Sequence, residues 1–133
     1  MGAAAVVPFV TEPALYAAKA DAEQGIYELR TYTCFPGKHA ALLERFRKFE
    51  VALFAKAGMT GIGFWVPEDE PAKSNKLVYL LRHKSREAAK ESWARFQKDP
   101  EWLKVKAESE KDGPLVDVHD IVFLDLADFS PKV

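Results

Sequence analysis

The sequence predicts an α+β domain built in the order β-α-β-β-α-β. Four short segments rich in β-branched and aromatic residues are bounded by Pro and Gly. Two longer stretches carry apolar residues every three or four positions. Helical stretches separate the first strand from the second and the third from the fourth, whereas only a polar loop joins the second to the third. That is the split β-α-β unit of ferredoxin-like folds, a four-stranded antiparallel sheet with two helices on one face.

Each element has its own local justification. Ile26–Phe35 (IYELRTYTCF) reads as a strand and ends at Pro36-Gly37, a turn. From Lys38 the apolar residues Leu42, Phe46, Phe49 and Leu53 fall on one helical face, and Gly58 stands where a glycine stops the helix. Met59–Val66 is a second strand ended by Pro67, and the loop PEDEPAKSNK leads into Lys76–Lys84 as the third. Ser85 caps a second helix with Glu87 in its first turn and Ala89, Trp93 and Phe96 on its buried stripe. Asp99-Pro100 supplies a fresh N-cap with proline in the first turn, so the helix restarts there, anchored by Trp102 and Val105, until Gly113-Pro114. Val118–Leu126 is the last strand.

At 133 residues, 48% hydrophobic and 29% charged, the composition is that of one folded domain, a size at which roughly 70% of the unfolded surface is buried. Lys and Arg number 19 against 20 Asp and Glu, so charge gives no argument for nucleic acid or an anionic membrane as partner. No apolar run approaches the roughly 20 residues of a membrane-spanning helix. Cys34 is the sole cysteine, which excludes an intrachain disulfide and a Cys-cluster metal site. Residues 1–25 differ from the rest: Ala-rich, with Pro8, Pro13 and a net charge of −2, leaving 26–133 as the domain. The run ending Ala18-Lys19-Ala20 is compatible with a trimmed signal segment, which implies an exported or periplasmic protein. A tail packed on the domain implies a cytoplasmic one.

Strand alternation sorts the sheet into two faces. Tyr27, Leu29, Thr31, Ile62, Phe64, Val66, Val78, Leu80, Val122, Leu124 and Leu126 are almost wholly apolar and are expected beneath the helices. Glu28, Arg30, Tyr32, Gly61, Gly63, Trp65, Leu77, Tyr79, Leu81, His83, His119, Ile121, Phe123 and Asp125 make up the other face. That face is too apolar to leave wet on a monomer, and the expectation is a homodimer whose sheets face each other across a barrel-like space. Glu28, Arg30, Tyr32, Trp65, Tyr79, His83 and His119 are then the candidate lining of a small-molecule cavity. Glu28 and Arg30, two apart on one strand, read first as a charge pair holding a dimer interface, ahead of a ligand-binding role.

Other chemistry is sparse. His39, His83 and His119 are too far apart for a local metal motif, and His39 is expected to be solvated at a helix start. No cofactor is expected, with haem ligation by His83 or His119 in an apolar cavity as the alternative. Gly58, Gly61 and Gly63 run into a strand and not onto a helix N-terminus, so they form no phosphate cradle. Cys34 reads as a buried, inert thiol and Glu68-Asp69-Glu70 as a solvated cluster.

Several segments resemble the NIPSNAP family. They are Tyr27-Glu28-Leu29-Arg30-Thr31-Tyr32-Thr33 with Pro36-Gly37-Lys38, Gly63-Phe64-Trp65, and Leu77-Val78-Tyr79-Leu80-Leu81. To these are added Trp93 with Phe96, Asp99-Pro100-Glu101-Trp102, Glu108-Ser109-Glu110, Gly113-Pro114-Leu115-Val116 and the closing Asp128-Phe129-Ser130-Pro131. Leu126-Ala127 stands where the family usually has Pro-Thr. The resemblance implies a dimeric α/β barrel and leaves activity open, because that superfamily holds cofactor-free monooxygenases, lactone isomerases, haem enzymes and plain binders. The expectation is a NIPSNAP-like homodimeric module, non-enzymatic or of undetermined activity, binding a small apolar ligand or a protein partner. The alternative is a small barrel enzyme, monooxygenase or isomerase, acting on a hydrophobic or aromatic substrate in the inter-sheet cavity. There Arg30 would stabilise an anionic intermediate, His83 or His119 would move a proton, and Glu28 would orient them.

Overall fold

The computed structural model describes residues 25–133; the tail expected over residues 1–25, with its signal-segment reading, lies outside the described residues except for Gly25. Strand β1 (Ile26–Cys34) leads into helix α1, which runs His39–Arg45, then a π-helical turn Phe46–Glu50, then Val51–Lys56. Strands β2 (Thr60–Trp65) and β3 (Lys76–His83) follow, then helices α2 (Arg86–Lys98) and α3 (Pro100–Ser109), then β4 (Val116–Leu124). The sheet order is β2-β3-β1-β4, and every neighbouring pair is antiparallel. The split topology is therefore real: β3 lies between β1 and β2, and β1 between β3 and β4.

The local signals operate as their chemistry dictates. Gly58, at φ 98°, closes α1 in the left-handed region that other residues resist. The Ser85 hydroxyl accepts from the Ala88 amide at 3.0 Å, and the Asp99 carboxylate accepts from the Glu101 amide at 2.9 Å. The Asp99 cap and Pro100 split the second helical stretch into α2 and α3. His39 is not simply solvated, because its Nε2 lies 2.9 Å from the Lys76 carbonyl.

The faces are reversed from expectation. Helices cover the side that carries Glu28, Tyr32, Leu77, Tyr79, Leu81 and His83, all buried. Phe54 of α1 stacks on Tyr79, and Phe46 meets both Tyr32 and Tyr79 edge-on. The opposite face holds Leu29, Val78 and Leu80, half-buried, with Val122 and Leu124 at 50% and 40% exposure. Alternation separates the two faces but does not say which one takes the helices. Polar groups can lie inside if each is partnered, and these are.

Two phase shifts complete the correction. A bulge between Gly61 and Gly63 moves β2 by one residue, so Phe64 pairs with Tyr79 under the helices while Trp65 pairs with Val78 on the open face. A Cβ at Gly63 would come within 2.4 Å of the Trp65 ring, so a larger residue there would have to displace that exposed side chain. In α1 the π turn inserts a residue into the helical period. Glu50 turns inward and Phe49 is left 40% exposed, against the spacing that placed Phe49 in the core.

The Ser85 cap gives a direct check on the second helical unit. Ser85→Ala is expected to cost about 1 kcal/mol in urea unfolding, with an unchanged dependence on denaturant.

Candidate functional site

The site grows from Glu28, on β1, whose side chain has no exposed surface. A buried carboxylate needs several donors, and three elements supply them. Arg30 Nε donates to Oε2 at 2.6 Å, while His83 Nε2 of β3 and Trp93 Nε1 of α2 both donate to Oε1 at 2.8 Å. Burial alone would push the Glu28 carboxyl up. The bonds from His83 and Trp93 and the Arg30 charge outweigh it, so the group titrates below its ordinary value.

Arg30 passes the network outward. Its guanidinium lies 3.8 Å above the Trp93 ring, and its Nη1 donates to the Tyr32 hydroxyl at 3.0 Å. Tyr79 donates to the same oxygen at 2.6 Å. Burial pushes the Tyr79 phenol well above its usual value and also raises that of Tyr32. The Tyr32 ring meets His119 of β4 edge-on at 4.5 Å. Partial loss of hydration, with the nearby charges of Arg30 and Arg45, holds the His119 imidazole below its ordinary pKa.

A second polar group stands opposite. Arg45 of α1 donates from Nε to Glu50 at 2.5 Å and from Nη1 to Ser109 at 3.1 Å and Glu110 at 2.9 Å. The Arg45 guanidinium lies 5.0 Å from the centre of the Trp102 ring. Burial pushes the Glu50 carboxyl up to about 7 despite the Arg45 charge. Between the two groups lies a cavity of about 510 Å³, within the usual range of small-ligand sites. Its walls are Arg30 and Tyr32 of β1, Arg45 and Glu50 of α1, Trp93 and Phe96 of α2, Trp102, Lys106 and Glu110 from α3 and its end, and Val116 and His119 of β4.

The cavity is therefore not between two sheets. It lies within one chain, between the helices and the β1–β4 side of the sheet. Among the described residues no three His, Cys, Asp or Glu side chains converge in a metal-binding group. His83 has its Nε2 taken up by Glu28 and its side chain 1% exposed, and it does not line this cavity.

The NIPSNAP family model matches residues 27–131. The chain belongs to the NIPSNAP family. An uncharacterized NIPSNAP-like domain protein from Burkholderia xenovorans shares the fold at 22% identity and TM-score 0.69, over 81% of this chain and 90% of that one. A NIPSNAP family protein of unknown function from Agrobacterium tumefaciens is 26% identical at TM-score 0.69, over 81% and 93%. SnoaB, a cofactor-independent oxygenase from Streptomyces nogalater, is 14% identical at TM-score 0.52, over 82% and 99%, a likeness that shows the fold alone. No curated protein matches the chain.

On this NIPSNAP scaffold, Glu28, Arg30, Tyr32, Tyr79 and His83 form one hydrogen-bonded chain, with His119 against Tyr32. Trp65 is separated from them, 51% exposed on the open face, because the β2 bulge reverses its side. Sequence reasoning missed Arg45, Glu50, Trp93, Trp102 and Glu110. Arg45 and Glu50 are five apart, a spacing that no α-helical face joins and only a π turn brings together. The tryptophans read as core anchors; the signal available was the indole N–H, which needs an acceptor wherever it is buried.

The raised Glu50 carboxyl has a definite signature in stability. Between pH 4.5 and 7 the folded chain holds a proton there that the unfolded chain releases, so stability falls as pH rises through this window. Wild type is expected to lose roughly 2–3 kcal/mol from this group between about pH 5 and 8, and Glu50→Gln to flatten that segment in urea melts at each pH.

Proposed function

We propose that the chain is a homodimeric binding module, with each subunit's helix-side cavity receiving one small, largely apolar ligand. The observation that carries the ligand half is the cavity itself: aromatic walls around a few polar side chains already fixed by one another. Such preorganisation lowers the cost of binding, because the site does not have to order on contact. The polar network explains its own burial without invoking a reaction. Binding is therefore the reading stated, and the oxygenase likeness contributes only a fold.

The dimer half rests on the open sheet face. Trp65, Val118, Val122 and Leu124 are 40 to 51% exposed there, beside the half-buried Leu29, Val78 and Leu80. An apolar surface of this extent on the sheet is matched most simply by the same surface on a second copy, through sheet-on-sheet packing. The helices cover the Glu28 face, so a dimer interface on the sheet lies on its other side.

Two experiments test the two halves separately. Leu80→Glu places a charge at the centre of the open face and is expected to turn a dimer into a folded monomer by light scattering. A wild-type chain of monomer mass at micromolar concentration would overturn the dimer. His119→Trp, on the exposed edge strand, fills the cavity mouth. It is expected to abolish saturable binding of apolar aromatic fragments in ligand-observed NMR while leaving the dimer mass unchanged. Equal fragment binding by wild type and this variant would overturn the cavity as the binding site.

A further inference from the structure

The hydrogen bonds around the cavity leave a specific deficit. Arg30 uses Nε on Glu28 and Nη1 on Tyr32, and its Nη2 donates to nothing among the described residues. The Tyr32 and Tyr79 hydroxyls hold two protons and share a single bond, so one proton has no acceptor. Of the two phenols only Tyr32 lines the cavity. Two unmet donors, one on a guanidinium and one on a phenol, thus stand side by side on the β1 wall, joined through the 3.0 Å bond between Arg30 Nη1 and the Tyr32 oxygen.

The other charges do not fill this deficit. Glu28 is behind Arg30 and already receives three bonds, and Glu50 and Glu110 are both turned to Arg45. Across the cavity Lys106 adds a further cation that makes no ion pair among the described residues. The floor beside these donors is a continuous aromatic run. Trp93 meets Phe96 edge-on at 5.5 Å, and Phe96 meets Trp102 at 4.6 Å with the rings tilted by 31°.

We propose that the ligand is a planar aromatic acid, with its carboxylate received by Arg30 Nη2 and the Tyr32 hydroxyl and its ring laid on the Trp93–Phe96–Trp102 wall. A carboxylate supplies two acceptor oxygens to two adjacent donors, the geometry in which guanidinium recognition is strongest. A flat ring suits a wall built of indole and phenyl rings. This inference rests on the cavity being a ligand site, and it adds the charge and shape of the occupant.

The test titrates the full chain by calorimetry with three probes of one size: 2-naphthoate, 2-naphthamide and 2-naphthylmethylammonium. Naphthoate is expected to bind at least about tenfold more tightly than the amide, and the ammonium more weakly than either. Arg30→Gln is expected to bring the naphthoate and amide affinities to within about threefold of each other, and Tyr32→Phe to weaken naphthoate about fivefold. Because Arg30 also neutralises Glu28, the milder Tyr32→Phe variant and the wild-type probe series decide the matter if Arg30→Gln does not fold. Amide or ammonium binding as tight as naphthoate overturns the acid and leaves the cavity standing. Binding of none of the three overturns both.

Discussion

A carboxylate with no exposed surface is tolerable only when its lone pairs are filled, and Glu28 fills them from three elements. His83 ties β1 to β3, Trp93 ties the sheet to α2, and Arg30 turns the remaining charge toward the cavity. The sheet face carrying Glu28 must therefore lie under the helices, because only α2 can deliver the indole. The β1 wall of the cavity inherits its position from this one group. Arg30 is held between Glu28 and the Trp93 ring, and Tyr32 and Tyr79 are placed by Arg30 in turn. Removing one donor would leave a buried charge underpaired, the most costly kind of defect in such a network.

The elements were legible in the sequence because each is specified locally. Gly58, Ser85 and Asp99-Pro100 act within a few residues, and their backbone geometry is what their side chains require. The family resemblance was legible for the same reason, as short segments in a fixed order. The orientation of the sheet was not. Glu28 meets His83 and Trp93 at separations of 55 and 65 residues, and no periodicity encodes which face will find such partners. Single-residue insertions account for the rest. A bulge at β2 and a π turn in α1 each shift the phase by one position, which moved Trp65 out of the site and brought Glu50 into it.

The cavity exists because the helical layer is narrower than the sheet. Helix α1 packs on the β1, β2 and β3 aromatics, whereas the helix-side residues His119 and Ile121 of β4 remain exposed. The uncovered margin becomes a mouth, and the two Arg–Trp stacks mark its inner wall. The π turn matters here in the opposite sense from a defect. A regular α1 would bury Phe49 and gain apolar contact, and it would take Glu50, with its bond to Arg45, out of the cavity.

The three tryptophans divide between the two surfaces of the sheet. Trp93 and Trp102 border the cavity, each under a guanidinium, whereas Trp65 lies over Gly63 on the open face. The molecule thus carries separate optical reporters for its two kinds of encounter. Emission from Trp65 responds to whatever covers the sheet, and emission from the stacked pair responds to whatever enters between helix and strand. A chain with Trp65 replaced by Phe would report occupancy of the cavity with no contribution from the opposite face.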